Sequence, residues 1–147
     1  MTSQTDSLAV VLFSEIFTVD QMARNRLTKA LPKGMELSHF SVLNYLARVQ
    51  DERTPADLAR VFHVTRGAMT NTLSKLERAG YIHVRPDWDD ARRKFVAISP
   101  AGRRAFSAAM CAVTPIIAAV VDTLGSSKVR AALPILRELR ARLNDGR

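Results

Sequence analysis

The sequence predicts a mainly α-helical fold with one small β-hairpin, and two kinds of pattern carry this prediction. Long stretches place apolar residues at helical spacing, and Thr54 and Ser99 each stand as capping residues directly before a proline. Two short runs, residues 81–85 and 95–99, instead alternate polar and apolar side chains with the period of two that strands show. The predicted order is two helices, a short helix, another helix, the hairpin and two further helices.

The composition indicates a globular chain with a polyanionic partner. With 147 residues, 47% hydrophobic and 24% charged, the chain can form one domain with a core, or a small domain with helical extensions. Its 22 lysines and arginines against 14 acids give a formal net charge of +8, which favours nucleic acid or an anionic membrane surface. The single cysteine, Cys111, excludes an intrachain disulfide and fits a reducing, cytoplasmic location.

Helices are predicted at both ends of the chain. Residues 7–30 carry apolar side chains at helical spacing and stop before Pro32, and a second helix is expected to start with Ser38 as its cap. After the hairpin, a long helix is followed by a last one, in which Pro134 is expected to bend the helix or delay its start. These helices are more apolar than one small domain needs, so a helical dimer interface is predicted.

The most apolar segment, residues 105–125, raises the alternative of a membrane span. It is short of a full span, is broken by Pro115 and is interrupted by polar residues such as Asp122, so a buried helix is the favoured interpretation. Cys111 within it is interpreted as a buried and inert thiol. No membrane partner is therefore predicted, and the protein is expected in the cytoplasm.

The centre of the chain predicts a helix-turn-helix. A short helix and a second helix beginning after Thr65 are joined by the tight turn FHVTR. On a helical wheel the second helix places Met69, Leu73 and Leu76 on one face, with a small, polar and basic face opposite. Such a face can address the base edges and phosphates of a major groove.

The hairpin that follows makes this helix-turn-helix winged, and its tip mixes acids with bases. Residues 60–104 contain ten basic and four acidic residues, so most of the net positive charge lies around the second helix and the hairpin. Arg92 is expected to enter a minor groove, while Asp90 holds the loop by accepting backbone N–H bonds or pairing an arginine. Trp88 is interpreted as packing against the strands, with contact to nucleic acid as the alternative.

The run TNTLSKLERAGYIHVRPDWDDARRKFVAISPAGR resembles the MarR family of winged helix-turn-helix repressors. The shared pattern is a helix end of the type Leu-Glu-x-x-Gly, here LERAG; a wing with Arg85, Asp90 and Arg92; and a helix start similar to Leu-Thr-x-x-Gly, here ISPAG. The resemblance covers nearly the whole chain in helix order and length. It implies an obligate homodimer, built from the first helix and the last two, that binds a pseudo-palindromic operator.

The chain departs from that pattern in the second helix of the helix-turn-helix, which would read the DNA bases. Many members have Thr-Arg where this chain has Thr70 and Asn71, and an Asp where it has Ser74, so a different operator sequence is expected. Because asparagine can pair bidentately with adenine, Asn71 is the favoured base reader. The predicted DNA-binding residues are Thr65, Arg66, Thr70, Asn71, Ser74, Lys75, Arg85, Asp90, Arg92 and Arg93.

The favoured function is a transcriptional repressor that binds double-stranded DNA as a homodimer. A small aromatic or amphipathic effector, bound between the winged domain and the dimer helices, would favour a spacing of the reading helices that no longer fits the operator. The alternative is a non-regulatory winged-helix module for architectural DNA binding or protein contact. No catalytic set, phosphate loop or metal cluster is visible, so no enzyme, metal site or cofactor is predicted. The predicted domains are a dimerisation domain, residues 1–34 and 102–147, and a DNA-binding domain, residues 35–101.

Overall fold

The computed structural model describes residues 3–145 and confirms the predicted fold class. The elements in chain order are α1 (Gln4–Ala30), α2 (Leu37–Val49), α3 (Pro55–Val61), α4 (Arg66–Arg78), β1 (Ile82–Pro86), β2 (Lys94–Ile98), α5 (Pro100–Leu124) and α6 (Ser126–Asn144). α1 starts earlier than predicted because Ser3 caps it: its hydroxyl accepts the Asp6 backbone N–H, and the Asp6 carboxylate accepts that of Ser3.

The boundaries of the helix-turn-helix follow from its predicted caps. Thr54 at α3, Thr65 at α4 and Ser99 at α5 each accept a hydrogen bond from the backbone N–H of the third residue of the helix. Gly80 follows the end of α4 with a φ of 78°, a left-handed conformation that glycine adopts at little cost, as predicted. Local chemistry therefore fixes where the short helix, the reading helix and the long helix begin.

The cap of α2 lies two residues before the predicted one. The helix begins at Leu37, so that Glu36, and not Ser38, occupies the capping position. The backbone N–H of Glu36 donates to Nδ1 of His39, at 3.2 Å, and this bond fixes the first turn without a hydroxyl cap. A histidine was not recognised as a capping partner in the sequence.

The two strands form an antiparallel hairpin in which Ile82 pairs with Ile98 at the base. Its alternation is as predicted, with Ile82 and Val96 buried against the helices. Arg53, in the loop between α2 and α3, exchanges both backbone hydrogen bonds with Val96, at 2.9 and 2.7 Å. This short bridge attaches the hairpin to the loop that leads into α3.

Two clusters of buried apolar side chains support the fold. The larger lies among α2, α3, α4 and the hairpin: Val42, Leu43, Leu46, Leu58, Ala59, Met69, Leu73, Leu76, Ile82 and Val96. The predicted inward face of α4 is thereby confirmed. The smaller cluster joins the end of α1 to α5 through Leu31, Ala109 and Val113.

The terminal helices are largely exposed in the single chain. Within the described residues, α1 and α6 bury no side chain and α5 buries only Gly102, Ala109 and Val113. The prediction that residues 105–125 form a buried helix is therefore wrong for the isolated chain, and Cys111 is exposed. The reason is that α5 projects beyond the winged unit, where this chain alone supplies little to pack against it.

Neither proline inside these helices ends its helix. Pro115 lies within α5 and Pro134 within α6, which starts at Ser126 without the expected delay. Where a helix is exposed, water can bond the carbonyl that a proline leaves unpaired, which lowers the cost of keeping it. Among the described helices, α5 alone is long and apolar enough to cross a membrane by length and composition, a test that helices of soluble proteins also pass.

The joint between the hairpin and α5 requires a residue without a side chain. A Cβ atom on Gly102 would overlap the backbone carbonyl oxygen of Tyr81 and would lie 2.9 Å from a side-chain carbon of Ile98. Ser99 ties the same joint, because its hydroxyl donates to the carbonyl of Gly80 at 2.6 Å and its N–H donates to Tyr81 at 3.0 Å. The direction in which α5 leaves the wing is thus set by close backbone contact.

We expect Gly102→Ala to lower the free energy of unfolding by about 1–3 kcal/mol, because the new methyl group must displace backbone. Urea denaturation followed by circular dichroism measures this loss. Gly67→Ala is the matched control, since nothing lies within 4 Å of its Cβ position and the same change in a helix stabilises by roughly 0.5–1 kcal/mol. Equal stabilities for the two variants would contradict the packing of this joint.

Candidate nucleic-acid interface

α4 turns a polar face outward, opposite the side that packs in the core. The exposed residues on this face are Arg66, Thr70, Asn71, Ser74 and Arg78. Thr65 precedes them, and its hydroxyl oxygen accepts the backbone N–H of Ala68 at 3.1 Å, so its first role is to cap the helix. The face therefore combines amide, hydroxyl and guanidinium groups over three turns, which is the chemistry that base edges and phosphates require.

Lys75 is placed differently from the rest of the predicted set. It is half-buried, and its Nζ lies 3.2 Å from Oε1 of Glu36 at the start of α2. This hydrogen-bonded ion pair lowers the pKa of Glu36 below its ordinary value. The ammonium group thus ties α4 to α2, and a direct DNA contact by Lys75 stays a prediction.

The wing loop, residues 87–93, is closed by its own hydrogen bonds. The N–H of Asp87 donates to the carbonyl of Arg93, and the N–H of Arg93 donates to that of Asp90, both at 3.0 Å. The Asp90 carboxylate accepts the backbone N–H of Arg92 at 3.0 Å and its Nε at 3.1 Å, and these bonds lower the pKa of Asp90. The predicted loop-shaping role of Asp90 is confirmed. The Arg92 side chain is 91% exposed at the tip.

Arg85 acts within the fold as a brace for the wing. Its guanidinium makes a two-pronged ion pair with Glu52, with Nη2–Oε2 at 2.7 Å and Nε–Oε1 at 3.0 Å, and it lies 4.7 Å from the centre of the Phe95 ring. The bond to Glu52 raises the pKa of Arg85. Glu52 was not singled out in the sequence because its partner is 33 residues away. The only available signal was an acid in the loop before Thr54.

Two other tip residues, Arg93 and Trp88, differ in the surroundings of their side chains. Arg93 has its Nε 4.0 Å from Oδ2 of Asp87 and its guanidinium 5.7 Å from the Phe95 ring centre, and about half of the side chain is exposed. Trp88, in contrast, is 80% exposed, so the interpretation that it packs against the strands is wrong. Backbone bonds and aspartates close the loop, and the indole takes no part in that closure.

The comparison with protein families identifies this arrangement. The MarR family model matches residues 33–93, which contain the helix-turn-helix and the wing. Residues 33–93 of the chain are therefore similar to the MarR family. This match and the winged fold support a MarR-family winged-helix regulator, as the resemblance in the sequence predicted.

Individual proteins extend the likeness beyond the matched segment. The transcriptional activatory protein BadR from Rhodopseudomonas palustris is 31% identical over 99 residues, an alignment that spans 65% of this chain and 57% of BadR. The crystal structure of the regulator BldR from Sulfolobus solfataricus superposes with a TM-score of 0.82, covering 95% of this chain and 99% of BldR at 23% identity. A mutant MarR from E. coli complexed with operator DNA gives a TM-score of 0.79, 23% identity and coverage of 93% and 99%. At this identity the structural matches establish a common fold.

Proposed function

We propose that the protein is a homodimeric transcriptional repressor that binds a pseudo-palindromic operator in double-stranded DNA and is released by a small effector. The observation that carries the proposal is the pairing of an exposed polar reading helix with an arginine displayed on a closed wing loop. A helix fits the major groove, and a wing arginine fits the neighbouring minor groove, whose potential is strongly negative. The match to a MarR structure complexed with operator DNA supports DNA as the partner.

The predicted contact residues divide into two roles in this proposal. Direct contacts are assigned to the exposed side chains Arg66, Thr70, Asn71, Ser74, Arg92 and Arg93. A positioning role is assigned to the four residues whose side chains already form hydrogen bonds or ion pairs within the fold: Thr65, Lys75, Arg85 and Asp90. Asn71 remains the proposed base reader, because its exposed amide can pair bidentately with adenine.

A second copy of the chain is the proposed cover for the apolar faces of the terminal helices. Large exposed apolar side chains include Leu8, Leu12 and Phe17 on α1, Ile117, Val120 and Leu124 on α5, and Ile135, Leu136 and Leu143 on α6. Monomeric soluble proteins rarely expose so much apolar surface, and a two-fold axis buries one patch against its copy. Such a dimer would set the two reading helices about 34–36 Å apart. The proposed dimer would also explain why α5 is so apolar in a protein proposed to be cytoplasmic.

The proposed domain division follows the two buried clusters. The larger cluster lies entirely within residues 35–101, the proposed DNA-binding domain. The smaller cluster joins α1 to α5, within residues 1–34 and 102–147, the proposed dimerisation domain. Met35 and Phe40 pack against the smaller cluster, so a movement of the dimer helices would reach the start of α2.

The effector site is proposed in the cleft between α2, α4 and the start of α5. Its volume is about 590 Å³, and its lining includes His39, Lys75, Arg78 and Tyr81. His39 is buried, which lowers its pKa, and its Nε2 has no hydrogen-bond partner among the described residues. The lining thus joins a neutral imidazole to basic side chains and to apolar ones such as Leu76, a mixture that suits a small aromatic or amphipathic compound.

A ligand in this cleft would contact the reading helix and α5 together. It releases the operator if it binds better to a dimer whose reading helices no longer fit the DNA spacing. Thermal-shift titration of compounds that release operator should show stabilisation of the wild type and less of Ala108→Phe, in which the new ring occupies part of the cleft. Equal stabilisation of both proteins would place the effector elsewhere.

Operator binding gives the direct test of the proposal. A DNA fragment selected from a random pool should be bound with strongly salt-dependent affinity, weakening about 10³-fold between roughly 50 and 200 mM salt, because phosphate contacts release counterions. Fluorescence anisotropy of the labelled fragment measures this slope. A flat affinity would contradict the proposal, and a footprint without one protected palindrome would favour the architectural module instead.

Activation is the second candidate for the direction of control. It is favoured by one observation, the name of the R. palustris relative as a transcriptional activatory protein. The two directions differ in what the bound dimer does at the promoter, not in the fold. A reporter gene under the natural promoter distinguishes them, since loss of the protein raises expression under repression and lowers it under activation.

A further inference from the structure

We propose that Trp88 is a DNA-contacting residue whose indole packs against the deoxyribose edge of the minor groove that Arg92 of the same wing enters. The inference rests on the proposed operator binding and adds to it an apolar contact on a hairpin otherwise explained by charge. Four observations support it: the exposure of the ring, the closure of the loop, the local charge balance and the position of the wing.

The exposure of Trp88 is unusual for its residue type. It is the only tryptophan of the chain, and 80% of its surface is exposed, the highest value among the exposed large hydrophobic residues. Tryptophan is highly buried on average, and it is enriched at interfaces, where its ring buries a large apolar area. Arg92, with its exposed side chain, belongs to the same loop.

Hydrogen bonds of the loop hold the backbone at Trp88 in place. The Asp87 carboxylate accepts the backbone N–H of Asp89 at 2.9 Å, a bond that spans Trp88 directly. The bond from the Asp87 N–H to the Arg93 carbonyl closes the base of the same loop. A residue on a closed loop loses less backbone conformational entropy on binding than one on an open loop.

The acids at the tip are arranged so that they do not prevent contact with DNA. The Asp87 side chain is only 13% exposed and lies beside Arg93, and Asp90 is paired with Arg92. Asp89 remains as an exposed acid next to Trp88. Its charge opposes deep insertion among phosphates, which favours an indole at the groove edge over a wedge between base pairs.

The position of the wing favours DNA over a second copy of the chain as the occupant. Both strands lie against the unit formed by α2, α3 and α4, on which the proposed reading face is displayed. The apolar faces proposed for the dimer lie instead on α1, α5 and α6. Trp88 is thus continuous with the proposed DNA interface.

Tryptophan fluorescence tests the contact, because all emission comes from Trp88. Anisotropy of a labelled operator reports binding independently. On adding operator to the wild-type protein we expect a blue shift of the emission and at least a twofold weaker quenching by acrylamide. Unchanged emission while anisotropy reports binding overturns the inference and leaves the proposed function standing. A protein that binds no operator overturns both, and a shift that depends on protein concentration without DNA overturns the inference in favour of self-association.

Affinity and its salt dependence separate the apolar contact from the charged one. We expect Trp88→Ala to bind operator about tenfold more weakly, as loss of buried apolar area implies, with the salt slope of the wild type. Trp88→Phe should recover most of the loss, whereas Arg92→Ala should reduce the slope by about one per wing. Wild-type affinity for Trp88→Ala, or a changed slope in that variant, would overturn the contact.

Discussion

Replacing Arg92 by alanine is expected to weaken operator binding by about 100-fold or more while leaving fold and dimer unchanged. Loss of a charged hydrogen bond costs about 1.5–3 kcal/mol of binding free energy. The proposed dimer carries two wings, so this cost applies twice. The fold should persist because the Arg92 side chain is 91% exposed and its only intramolecular partner among the described residues is Asp90. Anisotropy titration of labelled operator measures the affinity.

The matched control for this change is His83→Ala. His83 is an exposed residue of β1, on the same hairpin but near its base, and it pairs with Ala97. It should bind operator within about twofold of the wild type, since surface changes away from special features have small effects. If Arg92→Ala bound as tightly as His83→Ala, the wing would have no part in DNA recognition.

Val120→Glu is expected to dissociate the dimer and, through that, to abolish specific binding. Val120 lies on α5 with 44% of its surface exposed in the single chain, among the apolar residues assigned to the interface. A carboxylate at that place would have to be buried without a partner twice in each dimer, at a cost of several kcal/mol per charge. Sedimentation velocity measures the shift from dimer to monomer.

Val61→Glu is the control that isolates the interface from the chemistry of the substitution. Val61 lies on α3, outside the terminal helices, and is 43% exposed, so residue type and exposure are matched. This variant should remain a dimer. Dissociation of both variants, or of neither, would contradict the assignment of the terminal helices as the interface.

The elements that the sequence predicted well are those fixed by nearby residues. Thr54, Thr65 and Ser99 each bond to the third residue of their own helix, and Gly80 relieves the chain reversal after α4. The reach of such signals is three or four residues, so they are legible in a sequence. The role of Asp90 was predictable for the same reason, because its partner Arg92 is two residues away.

The features that the sequence did not disclose depend on contacts between distant segments or between chains. In the sequence, Arg85 and Lys75 are predicted to bind DNA. The fold places Glu52 beside Arg85 and Glu36 beside Lys75, and each pair forms an ion pair. The exposure of α5 in the single chain was predicted only indirectly, through the expected dimer interface, since an apolar helix looks the same whether its own chain or a second copy covers it. Trp88 was misjudged because apolar character alone does not reveal that aspartates already close the loop.

The mass of the operator complex tests the central claim most directly, namely that two copies of the chain hold one DNA site. Light scattering of protein mixed with a duplex carrying one selected palindrome should give the mass of the duplex plus two chains of 16.3 kDa. The same mass should be found across a range of protein concentrations above the Kd. A complex containing a single chain, or free duplex at all concentrations, would contradict the account.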